Sequence, residues 1–232
     1  MKKAIVFAAF MGLGLATVAR AEGTTREATE ARLQHAGEVL QQVMGAPDKG
    51  IPDEVMQHAK CIAVVPHLLK GGFVFGAENG RGVATCRTDH GWSAPAFFAI
   101  TGGNWGLQIG VEGIDLVMVF QGDAGMHRLI DSKFEIGADA SVAAGPVGRH
   151  ASADTDWKMN AEILTYSRAK GIFAGVTLNG AGVRRDDDST EAEYGHEVST
   201  RAILTGQVPP PPGSAAFLDA IRDAKAQATA SR

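Results

Sequence analysis

The stretch from Lys70 to Phe120 most constrains the fold, because glycines divide it into short apolar segments. These segments read KGGFVFG, GRGVATC, GWSAPAFFAITGG, NWGLQIG and GIDLVMVF, and each is too short for a helix of ordinary length. Glycine allows the positive φ of tight turns, while aromatic and β-branched residues suit a half-buried pleated surface. The pattern therefore predicts a β meander, and its short turns favour antiparallel pairing.

The first 21 residues have the pattern of a secretory signal peptide. Lys2 and Lys3 precede an apolar run from Ala4 to Ala19, and small residues flank Arg20 before Glu22. The run carries two glycines and is shorter than the roughly 20 residues of a membrane span, so a transmembrane anchor is the weaker alternative. No cysteine lies near the cleavage site. We therefore expect a soluble, periplasmic or secreted protein without a lipid anchor.

Removing 21 of the 232 residues leaves 211, and 45% of the chain is hydrophobic, which is enough for one domain with a substantial core. The signal peptide contains three of the 22 basic residues, so 19 remain against 26 acidic residues. The resulting net charge, near −7, disfavours nucleic acid as a partner. Binding to an anionic membrane would require a local basic patch.

Helices are predicted on both sides of the meander. Across residues 25–44, apolar residues recur at intervals of three and four positions, which predicts an amphipathic helix. Pro52 begins a short second helix that ends near His58. The segment SAAFLDAIRDAKAQA follows a proline-rich spacer and predicts a C-terminal helix capped by Ser214. We expect an α+β fold in which these helices pack on a curved antiparallel sheet or barrel built from residues 61–185.

Cys61 and Cys86 are the two cysteines of the chain. An even count in an exported protein favours a disulfide, which requires the strands CIAVV and GVATC to be neighbours. Two buried thiols are the alternative. A structural zinc site is not expected, because no histidine lies at zinc-finger spacing.

The motifs of common enzymes are incomplete. No glycine loop ends in Lys followed by Ser or Thr, and GGNWG lies between two strands, where a dinucleotide site requires a helix N-terminus. His196 and Glu197 begin a metalloprotease motif, but Thr200 stands where the second histidine belongs. We therefore predict a protein without catalytic residues, cofactor or metal. The tract RRDDDSTEAEYGHE is interpreted as a charged loop, with a calcium site as the disfavoured alternative because it lacks EF-hand spacing.

Basic residues recur beside the glycine turns. Turns place charges at the rim of a sheet, where cationic side chains and glycine amides together suit phosphate groups. Ordinary surface charge is the alternative for each residue. The candidate lipid-binding residues are Lys70, Gly71, Gly72, Arg81, Arg149, Arg168 and Lys170.

Several long motifs resemble those of the SYLF lipid-binding domain. They are AKCIAVVPHLLKGGFVFGAENGRGVATCR, GWSAPAFFAITGGNWGLQIGVEGIDLVMVF, GADASVAAGPVGR, TYSRAKGIFAGVTLNG and RRDDDSTEAEYG, in the order of the family, from about Leu33 to Leu204. The resemblance implies phospholipid binding. Eukaryotic members are associated with phosphoinositides and, in some cases, with binding and bundling actin, whereas bacterial members are exported proteins regarded mainly as lipid-binding.

An exported chain would meet neither actin nor phosphoinositides, so the resemblance implies a phospholipid or related amphiphile of the cell envelope. The helix over residues 25–44 has few basic residues, which disfavours its direct insertion into a membrane. We expect a signal peptide (1–21), a SYLF-like lipid-binding domain (25–206) and a proline-rich spacer with the C-terminal helix (207–232). The alternative function is a structural or protein-interaction module with an envelope protein as its partner.

Overall fold

The structure is a computed structural model that describes residues 24–46, 50–72, 75–105, 110–131, 133–147, 161–169, 172–175, 178 and 180–230. The helices in these ranges are α1 (Arg26–Met44), α2 (Asp53–His58), α3 (Gly122–Asp131), α4 (Asp187–Tyr194), α5 (Thr200–Leu204) and α6 (Ala215–Ala230). A 3₁₀ turn over Pro212–Ser214 precedes α6. The strands are β1 (Ala59–Gly72), β2 (Phe75–Thr88), β3 (Gly91–Trp92), β4 (Ala96–Trp105), β5 (Gly110–Gln121), β6 (Lys133–Glu135), β7 (Val142–Ala144), β8 (Ile163–Ala169), β9 (Ile172–Gly175) and β10 (Ala181–Arg185).

The strands form one curled sheet packed by helices, which confirms the predicted α+β class. Its order is β6-β10-β4-β2-β1-β5-β8-β7, while β3 pairs with β2 and β9 pairs with β8. The predicted antiparallel pairing holds except between β7 and β8, which are parallel. This one pair differs from the predicted antiparallel pattern because residues 145–162 separate the two strands, which is long enough for a crossover connection.

The long central strands carry apolar residues on both faces. Ile62 and Val64 of β1 face one hydrophobic cluster, together with α1, α2 and α6, whereas Ala63 and Val65 face a second cluster that includes residues of α3 and α5. Alternate residues of a strand point to opposite faces, so helices cover the sheet from both sides. We call the side that packs against α1, α2 and α6 the α1 face.

The predicted disulfide is present between Cys61 and Cys86. The two residues lie directly opposite each other on β1 and β2, and both are fully buried. Their pairing fixes the register of the two longest strands near the centre of the sheet.

The predicted helices are also present. The Thr25 hydroxyl caps α1 by accepting from Ala28 N, and residues such as Leu33 and Leu40 bury the apolar stripe of this helix. The C-terminal helix α6 packs against α1, with Phe217 fully buried in the same cluster. No described helix has the length and hydropathy required to cross a membrane.

The acidic tract is not a loop. Arg184 and Arg185 end β10, and the Asp186 side chain caps α4 by accepting from Ser189 N at 3.2 Å. Gly195 ends this helix in the left-handed conformation, with φ of 77°. The interpretation of residues 184–197 as a charged loop was wrong, because an Asx cap and a C-terminal glycine bound a helix there.

Candidate functional site

One end of the sheet collects several of the basic residues that the sequence singled out. Strand β1 reaches this end after Leu69, and its partners there are the start of β2 and the start of β5. Strand β8 is antiparallel to β5, so the last residues of β8 lie beside the first residues of β5. Arg168 of β8 therefore lies toward the same end, opposite Asp115. We call this region the hairpin end and define it by Leu69, Lys70, Gly113, Asp115 and Arg168.

The Lys70 ammonium is paired with a buried carboxylate. Its Nζ lies 3.1 Å from Glu78 Oε1 on β2, and the Lys70 residue is only 9% exposed. Glu112 occupies the position opposite Lys70 on its other neighbour, β5. The Lys70 charge is therefore compensated within the sheet instead of standing free at a rim.

Arg168 is held by Asp115. The Arg168 Nη2 donates to Asp115 Oδ2 at 2.6 Å, while a second guanidinium nitrogen donates to the Gln42 side chain of α1. The other Asp115 oxygen accepts from the backbone amide of His67 at 3.2 Å. This carboxylate thus ties β8 to the irregular part of β1.

The irregularity in β1 has a local cause. The register shifts between Val65 and Leu68, where Pro66 provides no backbone donor and His67 adopts a φ of 57°. A proline inside a predicted strand is a signal of a bulge that the sequence offers directly. Asp115 is not identifiable in this way, because its contact with His67 spans 48 residues.

An exposed aliphatic side chain accompanies these charges. Leu69 is 52% exposed, and its Cδ2 lies 3.9 Å from where a Cβ on Gly113 would stand. Val147, which follows β7 toward the same end of the sheet, is 42% exposed. Leu69, Asp115 and Arg168 all point to the α1 face, so an apolar group and a guanidinium that is 27% exposed share one surface.

Arg81 belongs to a different cluster. Its Nε lies 3.7 Å from Asp186 Oδ2, which also accepts from Arg32 at 3.3 Å. The Arg32 guanidinium lies over the Phe97 ring at 5.7 Å. Burial lowers the pKa of Arg32, and the Arg81 charge lowers it further, whereas Asp186 opposes both effects. No sequence pattern indicated Arg32. The cluster joins α1 to α4.

The structure thus brings together Lys70, Gly71, Gly72 and Arg168 at the hairpin end and places Arg81 toward the middle of the sheet. Arg149 and Lys170 lie outside the described residues. Among the residues that the structure describes, no three His, Cys, Asp or Glu side chains are arranged to hold a metal ion.

These features define a mixed α+β domain with a glycine-rich, charged sheet end. The family model Ysc84, described as Las17-binding protein actin regulator, matches residues 101–224. LAS seventeen-binding protein 3 of Saccharomyces cerevisiae is 34% identical over 175 residues, which are 74% of this chain and 38% of the yeast protein. SH3 domain-containing YSC84-like protein 1 of Homo sapiens is 32% identical over 167 residues, which are 71% of this chain and 48% of the human protein.

The chain therefore belongs to the Ysc84 family, which is the SYLF family that the motifs indicated. It spans less than half the length of these two relatives. The yeast relative is named as a binding protein, and the family description names an actin regulator.

Proposed function

We propose that this chain is a noncatalytic lipid-binding protein of the cell envelope. Residues 1–21 direct its export and are then removed by cleavage. Its ligand is a phospholipid or a related amphiphile that contacts the hairpin end. The observation that carries the proposal is the exposed Leu69, which shares the α1 face with the Arg168 guanidinium. An aliphatic group beside a cation suits the boundary between acyl chains and phosphate groups.

The packing of the sheet supports a surface site. The gap in the second cluster that is lined by Phe98, Leu129 and Leu204 has a volume of about 10 Å³. A space of this size holds at most one water molecule, so it does not accommodate an acyl chain. This gap is therefore not expected to take up the lipid. A larger pocket of about 340 Å³ is lined by the ends of α1 and α6 and the start of α2. We place the lipid on the outside of the hairpin end because Leu69 is exposed there.

The ion pairs of Lys70 and Arg168 limit how much each residue is expected to contribute to lipid binding. Lys70 and Arg168 both have carboxylate partners, so a headgroup has to compete with Glu78 and Asp115 for them. Leu69 has no such competitor, and burying a leucine side chain contributes about 2 kcal/mol. We expect the apolar contact to dominate, with Gly71, Gly72 and Arg168 orienting the headgroup. Lys70 follows Leu69 in β1 and points to the opposite face, so its contribution should be smaller.

Cosedimentation with phosphatidylglycerol vesicles tests the proposal, using the mature chain. Leu69→Asn removes the apolar contact without adding charge, and we expect it to weaken binding roughly tenfold. Leu69→Met is the matched control and should bind like the wild type. Arg168→Gln should weaken binding less. Arg201→Gln, which removes an exposed ion pair between α5 and Asp131 of α3, should leave binding unchanged. Equal binding by Leu69→Asn and Leu69→Met would contradict the proposal.

Export is tested separately. Cell fractionation should recover the chain from the periplasm or medium, and N-terminal sequencing should begin at Glu22. A protein retained in the cytoplasm with Met1 intact would contradict the proposed localisation.

A second candidate is a protein-interaction module of the envelope, which the family description as Las17-binding favours. A photo-crosslinking residue at position 69 distinguishes the two functions in living cells. Crosslinks to one envelope protein, together with absent vesicle binding, would support the module. Crosslinks to lipid would support the first proposal.

A further inference from the structure

Two cationic side chains converge on one backbone carbonyl at the opposite end of the sheet. Lys225 of α6 donates from Nζ to the Gln57 carbonyl oxygen at 2.8 Å, and Arg87 of β2 donates from Nη2 to the same oxygen at 3.4 Å. Within the described part of the chain, neither side chain forms an ion pair. Burial lowers the pKa of Lys225, and the nearby Arg87 charge lowers it further.

The carbonyl compensates only part of this charge. Gln57 lies in the last turn of α2, and the end of a helix carries the equivalent of roughly half a negative charge. Two full positive charges face it, so a local excess of positive charge remains. By contrast, Lys70 and Arg168 each have a carboxylate partner.

The Arg87 Nε is buried and has no acceptor among the described residues, so an anion from solution is expected to meet the Nη groups instead. One of these, Nη2, already donates to the Gln57 carbonyl oxygen. The Arg87 guanidinium lies over the Trp92 ring at 5.3 Å, and Trp92 is the residue opposite Arg87 on β3. The ring therefore fixes the plane of the guanidinium without neutralising its charge.

We propose that Arg87 and Lys225 form a binding site for a small phosphate-type oxyanion. A guanidinium donates through parallel N–H groups, and an ammonium adds a point charge, which together match the oxygens of a phosphate. The site lies where β2 ends, whereas the hairpin end lies where β2 begins. The anion is therefore expected to be dissolved in solution, because a bilayer at the hairpin end would not reach it.

Isothermal titration of the mature chain with inorganic phosphate tests this site, at constant ionic strength set with chloride. We expect saturable binding that Lys225→Met weakens about tenfold and that Lys225→Arg largely retains. Arg222→Met is the control on the same helix, because Arg222 is exposed and pairs with Asp219. Phosphate should also change the fluorescence of Trp92, and Trp92→Phe should abolish that change.

Three outcomes would overturn the proposal. Phosphate could fail to bind, or it could bind Lys225→Met and the wild type equally. In the third outcome, Lys225→Met would lose binding to phosphatidylglycerol vesicles while phosphate remained without effect, which would identify a lipid headgroup as the ligand. Loss of vesicle binding by Leu69→Asn alone leaves this site unaffected, so the two proposals fail independently.

Discussion

Lys70 and Glu78 form an ion pair across β1 and β2, with side chains that are only 11% and 6% exposed. Removing two such charges from water costs free energy, and their mutual attraction offsets that cost only while both are present. The pair is therefore expected to hold the hairpin end in register more than to stabilise the protein.

Lys70→Met should destabilise the protein by about 2 kcal/mol, because the Glu78 carboxylate then remains buried without its ammonium partner. The double variant Lys70→Met with Glu78→Met should recover most of this loss. Urea unfolding of the wild type, both single variants and the double variant measures the coupling. Strictly additive losses would show that the two charges do not interact.

Gly145 should not tolerate a side chain. A Cβ at this position would overlap Cζ of Tyr166, so the ring would have to move. We expect Gly145→Ala to destabilise the protein by about 2 kcal/mol through overpacking. Thermal unfolding measures the loss.

Gly182→Ala is the matched control for Gly145→Ala, because its nearest neighbour would be Thr101 O at 3.4 Å. It should change the stability by less than about 0.5 kcal/mol. Equal stability of the two alanine variants would contradict the close packing of Tyr166 on Gly145.

Local signals account for what the sequence predicted correctly. The spacing of Leu33 and Leu40 indicated α1, and the short apolar segments bounded by glycines indicated the meander. Both patterns can be recognised within a few neighbouring residues. The capping pattern of Asp186 and Gly195 was equally local, so the helix α4 could have been recognised from it.

The remaining features depend on register between distant strands. Which strands flank β1 decides that Lys70 pairs with Glu78 and lies opposite Glu112, and no local pattern specifies that arrangement. The same holds for Asp115, which joins His67 to Arg168 across three strands. A basic residue beside a glycine turn therefore did not reveal whether its charge was already compensated.

The Tyr166 hydroxyl makes stability sensitive to alkaline pH. Tyr166 is 2% exposed, its hydroxyl has no hydrogen-bond partner among the described residues, and burial raises its pKa. Above about pH 10 the unfolded chain releases this proton while the folded chain keeps it, so stability falls as pH rises. One such group contributes a slope of about 1.4 kcal/mol per pH unit.

Tyr166→Phe should therefore reduce the alkaline loss of stability and change the stability little at neutral pH. Tyr194 provides the comparison, because burial also raises its pKa but its hydroxyl donates to Pro95 O at 2.7 Å. Tyr194→Phe should reduce the alkaline slope similarly while costing about 1 kcal/mol at neutral pH. Urea unfolding between pH 7 and pH 11 measures both effects, and identical slopes in all three proteins would contradict the assignment.

The disulfide between Cys61 and Cys86 should stabilise the protein by restricting the unfolded chain. The two cysteines are 25 residues apart, and closing a loop of this length contributes about 3 kcal/mol. Replacing both cysteines with alanine should lower the free energy of unfolding by about that amount under oxidising conditions.

A reducing agent should lower the stability of the wild type to a similar level and leave the double variant unchanged, because only the wild type has a bridge to lose. Both sulfurs are fully buried, so reduction of the folded protein should be slow and should accelerate in urea. Mass spectrometry of the alkylated, non-reduced protein should find no free thiol, and two alkylated cysteines would contradict the bridge.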